Sequence, residues 1–229
     1  PIFSIGIPAV IFVLIGAWLS KFIDTRFLDL ILGFFLILLS SIFLIKNQLR
    51  LQPNKKTILI VGGSLGANSI NEVVLKNLDG FASLNLQLVW QTGKTNAAKY
   101  AAAATNYANI WVGAFISEMD MAYAVADTVI SRAGAMSVAE ICVAAKPAVF
   151  VPYPYAAEDH QTANANYLVQ KNAALLVPDA AADATLFDTV TALALNSAQQ
   201  ETFIKNLQPL AIKNAAEVVV TKILENLRA

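Results

Sequence analysis

The chain has 229 residues, 57% of them hydrophobic and 14% charged, a composition that fits one α/β domain together with a segment that prefers lipid. Its single cysteine, Cys142, excludes a disulfide-rich secreted scaffold, and its apolar content excludes an intrinsically disordered chain. Sixteen basic residues balance sixteen acidic ones, so the composition gives no indication of a nucleic-acid partner.

The first 46 residues contain two long uncharged segments. Residues 1–20 and 30–45 carry no Asp, Glu, Lys or Arg, whereas charged residues are frequent between them. At about 1.5 Å per residue, helices of these lengths reach roughly 30 and 24 Å, close to the thickness of a hydrocarbon core. The pattern therefore predicts a transmembrane helical hairpin at residues 1–46. The alternative is two buried helices of a soluble domain.

A basic cluster follows the predicted hairpin, and no comparable cluster precedes it. The cluster consists of Lys46, Arg50, Lys55 and Lys56. Because positively charged flanks stay on the cytoplasmic side of a membrane, we expect everything after residue 46 to lie in the cytoplasm. Residues 47–56 are polar and contain Pro53, and we interpret them as a linker. The chain begins with Pro1 instead of Met, which we interpret as a start within a longer product.

From residue 57 onward, short β-rich runs alternate with helical ones. This alternation predicts a Rossmann-like α/β domain over residues 57–229, with a parallel sheet and helices on both of its faces. The strands are predicted at 57–61, 86–90, 109–112, 128–130, 148–151 and 174–177. The helices are predicted at 69–78, 96–105, 118–126, 135–145, 161–172 and from 184 to the C-terminus.

A glycine-rich turn follows the first predicted strand, with the sequence GGSLGA at 62–67. Glycines at such a place let backbone amides approach a phosphate or a sugar, and the following helix N-terminus favours an anion. A tight turn without a ligand remains an alternative, and Ser64 could serve only as a helix N-cap. The Gly93-Lys94-Thr95 run is not a nucleotide-triphosphatase loop, because that loop needs a glycine where Leu88 stands.

A second small-residue turn follows the fourth predicted strand, with the sequence RAGAMSVAE at 132–140. Its amides at a helix N-terminus suit a diphosphate, and the Ser137 hydroxyl can add a donor. Glu140 lies one turn further along, where a carboxylate can accept hydrogen bonds from both vicinal hydroxyls of a ribose. The alternative is that Glu140 only complements the dipole of its own helix.

A third polar segment follows the fifth predicted strand. His160 and Gln161 stand there as adjacent hydrogen-bonding residues, at the sheet edge where open α/β sheets bind ligands. We expect Asn164 to secure this loop to its helix. The chain has one histidine and no Asp-x-Asp motif, so we predict neither a metal site nor a cofactor.

Five motifs in order resemble one family, the bacterial transferases that add N-acetylglucosamine to undecaprenyl-pyrophosphoryl-muramyl-pentapeptide and so make lipid II for peptidoglycan. The motifs are GGSLGA at 62–67, QTGK at 91–94, FISEM at 115–119, RAGAMSVAE at 132–140 and HQTANA at 160–165. The resemblance implies the C-terminal, donor-binding half of a GT-B glycosyltransferase. It also implies a place on the cytoplasmic side of the bacterial inner membrane.

The resemblance assigns donor contacts residue by residue for UDP-N-acetylglucosamine. It implies that Gly63 and Ser64 lie beside the diphosphate and sugar, and that the Ile116 backbone pairs with the uracil edge. The amides of Ala135, Met136 and Ser137 would hold the diphosphate, and Glu140 would bind the ribose. The pair that would read the sugar hydroxyls is His160 and Gln161. The reaction would be an inverting displacement, with the leaving diphosphate stabilised by helix amides in place of a metal.

The family's other half, which binds the lipid-linked muramyl-pentapeptide acceptor and is thought to supply the catalytic base, has no counterpart in this sequence. Residues 1–50 instead resemble the last two spans of the TauE/SafE sulfite-exporter family. We therefore expect chemistry to depend on an acceptor half elsewhere and on the membrane. Two alternatives stay open: a non-catalytic nucleotide-sugar-binding subunit, and the regulatory tail of a membrane transporter.

Overall fold

The computed structural model describes residues 51, 52 and 54–228. The transmembrane hairpin predicted at residues 1–46 lies outside these residues. Within the described part, no helix combines the length and the apolar character needed to cross a bilayer.

Six parallel strands form one sheet in the order β3-β2-β1-β4-β5-β6. The strands are β1 (Thr57–Val61), β2 (Gln87–Gln91), β3 (Ile110–Gly113), β4 (Thr128–Ser131), β5 (Ala148–Phe150) and β6 (Leu175–Leu176). The chain winds outward from β1 in one direction and from β4 in the other. The carboxyl ends of β1 and β4 are therefore the topological switch point, the place where doubly wound sheets bind ligands.

Helices connect the strands and complete the C-terminal region. They are α1 (Asn68–Lys76), α2 (Leu78–Ser83), α3 (Ala97–Ala104), α4 (Met119–Val125), α5 (Ala135–Ala144), α6 (His160–Gln170), α7 (Ala182–Leu195), α8 (Ser197–Leu207) and α9 (Ala215–Arg228). Single 3-10 turns lie at Ala157–Asp159, Asp179–Ala181 and Gln208–Leu210.

The strands are buried on both faces, as parallel strands covered by helices are. Along β1, Ile58 and Ile60 pack into one core with Trp90, while Leu59 and Val61 pack into a second core on the opposite face. Every residue of β1 is buried, which explains why four consecutive apolar residues follow Thr57. The two cores cover both faces of the sheet from which the carboxyl-end loops leave.

The strand predictions are confirmed to within one residue at each end, and α1 confirms the helix predicted at 69–78 to within two residues, but one helix is missing from the predictions and another is interrupted. The predicted helix at 69–78 is followed by a separate helix, α2, which contains Gly80. Glycine weakens the helix signal, and at this position it lets the Phe187 ring pack against the helix backbone, since a Cβ here would overlap that ring. The helix predicted from 184 onward is broken at Asn196, whose side chain accepts a hydrogen bond from the Gln199 amide, and again near Pro209.

Candidate functional site

The loop after β1 is built around glycines with left-handed backbone angles. Gly63 has φ +86° and Gly66 has φ +82°. A Cβ on Gly66 would overlap the carbonyl of Thr92, and one on Gly93 would overlap the backbone of Gly66. The loops after β1 and β2 therefore touch backbone to backbone, which no residue with a side chain would permit.

Ser64 lies exposed at the tip of this loop and does not cap α1. The N-cap position of α1 is Ala67, and no side chain caps this helix. The alternative that Ser64 serves as an N-cap is therefore wrong. Ser64 lies within a tight turn, which is closed by the hydrogen bond from the Gly66 amide to the Gly63 carbonyl at 3.0 Å.

The N-terminus of α5 is open. Its N-cap is Gly134, which adopts φ −63° and ψ 150°, angles that any residue can adopt, and no side chain caps the helix. A Cβ built on Gly134 would meet no atom within 4 Å. Neither conformation nor packing therefore requires glycine here, and its absent side chain leaves space in front of the first-turn amides. Ala135 and Met136 in this turn are exposed.

Side chains of α6 hold the turn that leads into α5. The Ala133 amide donates to Gln161 Oε1 at 3.2 Å, and the Ala133 carbonyl accepts from Asn164 Nδ2 at 3.1 Å. Asn164 thus holds the turn after β4 and not, as expected, the loop after β5. Gln161 Oε1 also accepts from the Tyr153 amide at 3.0 Å. Since its oxygen is bound twice, Gln161 offers a ligand the Nε2 donor.

Gln91, at the end of β2, joins two of the predicted donor-binding loops. Its Oε1 accepts from the Ile116 amide at 2.9 Å, and its Nε2 donates to the Gly63 carbonyl at 3.1 Å. The side chain is buried, with both of its polar groups satisfied. The Ile116 amide is therefore bound within the protein, and a base edge approaching Ile116 would meet its carbonyl instead.

The Arg132 side chain binds three other segments of the chain at the carboxyl edge of the sheet. Its Nη1 donates to the carbonyls of Val151 and Pro152 at 3.0 Å each and pairs with Asp179, while its Nη2 donates to Ser69 Oγ at 3.0 Å. Ser69 Oγ also donates to Asp179 Oδ1 at 2.6 Å. We call these three side chains the Arg132 clasp: Ser69, Arg132 and Asp179.

Glu140 lies on the exposed face of α5 and accepts a hydrogen bond from the Tyr123 hydroxyl at 3.1 Å. Burial and the neighbouring Glu140 carboxylate raise the pKa of Tyr123 above its ordinary value, so the hydroxyl stays protonated and donates. Both residues line a largely apolar groove of about 670 Å³ between α4 and α5, with Met119 and Met136 among its walls. This volume is within the range of small-molecule sites.

His160 begins α6 after two strained residues. Glu158 and Asp159 both have φ +51°, which costs on the order of 1–3 kcal/mol each for residues with a side chain. His160 Nδ1 lies 2.7 Å from the Ala157 carbonyl oxygen. Because a carbonyl only accepts, Nδ1 carries a proton and donates here, and the tautomer with its single proton on Nδ1 presents Nε2 as an acceptor.

The structure links the sequence-predicted residues through Gln91, to which sequence analysis gave no role, and through Gln161, which was predicted only to contact the sugar. Gln91 connects Gly63 with Ile116, and Gln161 reaches the turn before Ala135. Gln91, Arg132 and Tyr123 each follow or lie within a recognised motif, which is the only signal that marks them. Among the described residues there is no group of three or more His, Cys, Asp or Glu that could hold a metal ion.

A family model described as the glycosyltransferase family 28 C-terminal domain matches residues 57–219. A UDP-N-acetylglucosamine--N-acetylmuramyl-(pentapeptide) pyrophosphoryl-undecaprenol N-acetylglucosamine transferase of Flavobacterium psychrophilum is 42% identical over 179 residues, covering 78% of this chain and 48% of that protein. One of the same name from Parabacteroides distasonis is 43% identical over 178 residues, covering 76% and 48%. The chain thus spans about half the length of these curated relatives.

Solved structures resemble the described fold. The crystal structure of Acinetobacter baumannii MurG matches with a TM-score of 0.66 and 33% sequence identity, covering 78% of this chain and 55% of that one. The C-terminal CMP-Kdo binding domain of WaaA, also from Acinetobacter baumannii, matches with a TM-score of 0.53 at 13% identity, covering 69% of this chain and 89% of that one. At that identity the second match shows the fold alone.

Proposed function

Since the chain belongs to the family of the glycosyltransferase family 28 C-terminal domain, we propose that residues 57–229 bind UDP-N-acetylglucosamine as the donor half of an N-acetylglucosaminyltransferase. The acceptor would be undecaprenyl-pyrophosphoryl-muramyl-pentapeptide, the compound in the names of the curated relatives. Because those relatives are about twice as long as the matched region, we propose that an acceptor half outside these 229 residues completes the reaction.

The observation that carries this proposal is the open N-terminus of α5. Uncapped amides at a helix N-terminus attract an anion through hydrogen bonds and the helix dipole. Gly134 leaves unfilled space directly in front of them. We propose that the diphosphate of the donor binds there, to the amides of Ala135, Met136 and Ser137, with Ser64 and Gly63 approaching from the β1 loop.

The nucleoside would extend from the diphosphate along the groove between α4 and α5. Glu140 lies one turn beyond the proposed diphosphate amides and borders that groove, which places a carboxylate within reach of the ribose hydroxyls. The uracil edge would meet Ile116, whose carbonyl is the group left for pairing because Gln91 holds its amide. A carbonyl accepts from the N3–H of uracil.

The sugar would lie toward α6. Gln161 presents a donor and His160 Nε2 an acceptor, so the pair can distinguish hydroxyl groups by their orientation. The strained residues before His160 support a functional role for this loop, since such strain is concentrated at binding and catalytic sites.

The chemistry would be an inverting displacement at the anomeric carbon. As the bond to the diphosphate breaks, negative charge grows on the leaving oxygen, and the α5 amides are already oriented to stabilise it. Deprotonation of the attacking hydroxyl needs a base, which we place in the acceptor half. The undecaprenol carrier is a membrane lipid, so the domain would work at the cytoplasmic face of the bacterial inner membrane, with residues 1–46 as its anchor.

The first test is calorimetric titration of the whole chain with UDP-N-acetylglucosamine, compared with Gly134→Ala and Gly134→Val. A larger side chain should fill the space before the α5 amides, so the dissociation constant should rise from glycine to alanine to valine. For valine the rise should be about tenfold or more, which corresponds to a loss of about 1.4 kcal/mol in binding free energy. The melting temperature should change by less than about 2 °C, because the backbone angles suit both residues. Equal affinities in all three proteins would contradict the proposed diphosphate site.

The second test concerns transfer. N-acetylglucosamine should pass to the lipid-linked acceptor when a family acceptor half is added, and the added half alone should be inactive. Donor binding without transfer under these conditions would favour the alternative of a non-catalytic nucleotide-sugar-binding subunit.

A further inference from the structure

Tyr123 stands in the groove between α4 and α5 without a role in the functional scheme above. Its side chain is only 7% exposed, and its ring belongs to the apolar core that includes Ile116 and Ile141. Its hydroxyl nevertheless reaches the groove wall and donates to Glu140 Oε2 at 3.1 Å. A buried ring on α4 thus holds an exposed carboxylate on α5.

This contact changes what the Glu140 carboxylate can offer. An exposed glutamate on a helix samples several rotamers, and a ligand that needs one of them must pay for the lost freedom. The Tyr123 hydroxyl, fixed by its buried ring, holds the Glu140 side chain in one rotamer before the ligand arrives, so the ligand does not have to order it. This hydrogen bond engages one lone pair of Glu140 Oε2. The other oxygen and the remaining lone pairs stay available to two neighbouring hydroxyls.

We infer that Tyr123 is a positioning residue that fixes the Glu140 carboxylate for the ribose hydroxyls and thereby sets the preference of the site for ribonucleotides over 2′-deoxyribonucleotides. This inference rests on the proposed function, because it requires that Glu140 meets the ribose. Tyr123 itself touches no ligand in this scheme. Its effect is exerted only through Glu140.

The variant Tyr123→Phe separates positioning from packing. Phenylalanine keeps the buried ring and deletes only the hydroxyl, and the pKa of that hydroxyl, raised by burial, keeps it a donor throughout the physiological range. The chain offers a matched control in Tyr107→Phe. Tyr107 also donates to a carboxylate, Asp79, at 2.6 Å, but at the opposite flank of the sheet beside α2.

The experiment is calorimetric titration of the whole chain and its variants with UDP and with 2′-deoxy-UDP. The unaltered chain should bind UDP at least about tenfold more tightly than it binds 2′-deoxy-UDP. Tyr123→Phe should weaken UDP binding by about 3- to 10-fold and 2′-deoxy-UDP binding by less than about twofold, so the preference shrinks. Tyr107→Phe should leave both constants unchanged. In the Glu140→Ala background, adding Tyr123→Phe should change nothing further.

The outcomes distinguish this inference from the proposed function. Failure of the unaltered chain to bind UDP would overturn both. Binding of UDP without preference over 2′-deoxy-UDP, or a preference that survives Glu140→Ala, would remove the ribose role of Glu140 and the inference with it. A preference that is lost in Glu140→Ala but kept in Tyr123→Phe would overturn the inference alone. An equal loss of affinity for both nucleotides in Tyr123→Phe would show a packing effect and would also overturn it.

Discussion

At the scale of single residues, the site depends on the orientation of two glutamine side-chain amides, because the oxygen and the nitrogen of such a group bind different partners. Gln91 accepts from Ile116 with its oxygen and donates to Gly63 with its nitrogen, and Gln161 accepts twice with its oxygen. Each of these side-chain amides therefore holds the backbone of two different loops. A motif in the sequence can mark such a glutamine, but it cannot state the orientation of its side chain, because that depends on loops from distant parts of the chain.

Gln91→Glu tests this dependence. The carboxylate can still accept from the Ile116 amide but cannot donate to the Gly63 carbonyl, so two oxygens would face each other in a buried site. We expect a loss of about 1–3 kcal/mol in the free energy of unfolding, measured by urea denaturation. We also expect weaker binding of UDP-N-acetylglucosamine, because both donor-binding loops lose their shared support.

Gln87→Glu is the matched control for that variant. Gln87 is equally buried at the other end of β2, where its amide group donates to the carbonyl of Gln52 at 3.1 Å. The control should lose similar stability and keep its donor affinity under conditions where it is folded. If both variants lose affinity alike, Gln91 has only a general structural role.

At the scale of elements, the Arg132 clasp connects α1, the loop after β5 and the turn after β6. The side chains of Arg132 and Asp179 are 13% and 20% exposed, so their attraction is screened less than that of a surface pair. The arginine in this position was visible in the sequence as part of a motif. Its partner Asp179 was not, because 47 residues separate the two and only the sheet topology brings them together.

Arg132→Met should reduce the free energy of unfolding by about 2–4 kcal/mol, since it leaves the Asp179 carboxylate largely buried and without its cation. The double variant Arg132→Met with Asp179→Leu should recover part of this loss, because it removes the orphaned charge as well. Urea denaturation of the three proteins measures both effects. Equal stability of Arg132→Met and the unaltered chain would show that the clasp contributes nothing to the fold.

The limits of sequence analysis at this scale have physical reasons. The sequence predicts the strand positions closely because each strand is a short, largely apolar run between turns. Parallel pairing then puts the carboxyl-end loops of the strands on one edge of the sheet. The sequence predicts one helix from 184 onward because alanine-rich, leucine-rich sequence continues the helical pattern across Asn196. The helix ends there only because its side chain caps the next helix, which is a local contact that periodicity does not register.

At the scale of the whole molecule, the described residues form two cores on the faces of one sheet, and all the proposed donor contacts lie at the carboxyl edge of that sheet. We therefore expect a chain that lacks residues 1–50 to fold, to remain in solution and to bind UDP-N-acetylglucosamine. Size-exclusion chromatography followed by titration checks this. Insoluble aggregate, or folded protein without donor affinity, would show that residues 1–50 are part of the binding domain.

The central claim is that the α5 N-terminus holds the donor diphosphate while Glu140 holds the ribose. The most direct measurement is a crystal structure of the chain with UDP-N-acetylglucosamine. It should show diphosphate oxygens within about 3 Å of the amides of Ala135, Met136 and Ser137, the usual hydrogen-bond distance, with the ribose hydroxyls on the Glu140 carboxylate. A nucleotide bound elsewhere, or a cleft that stays empty at saturating donor, would contradict the claim.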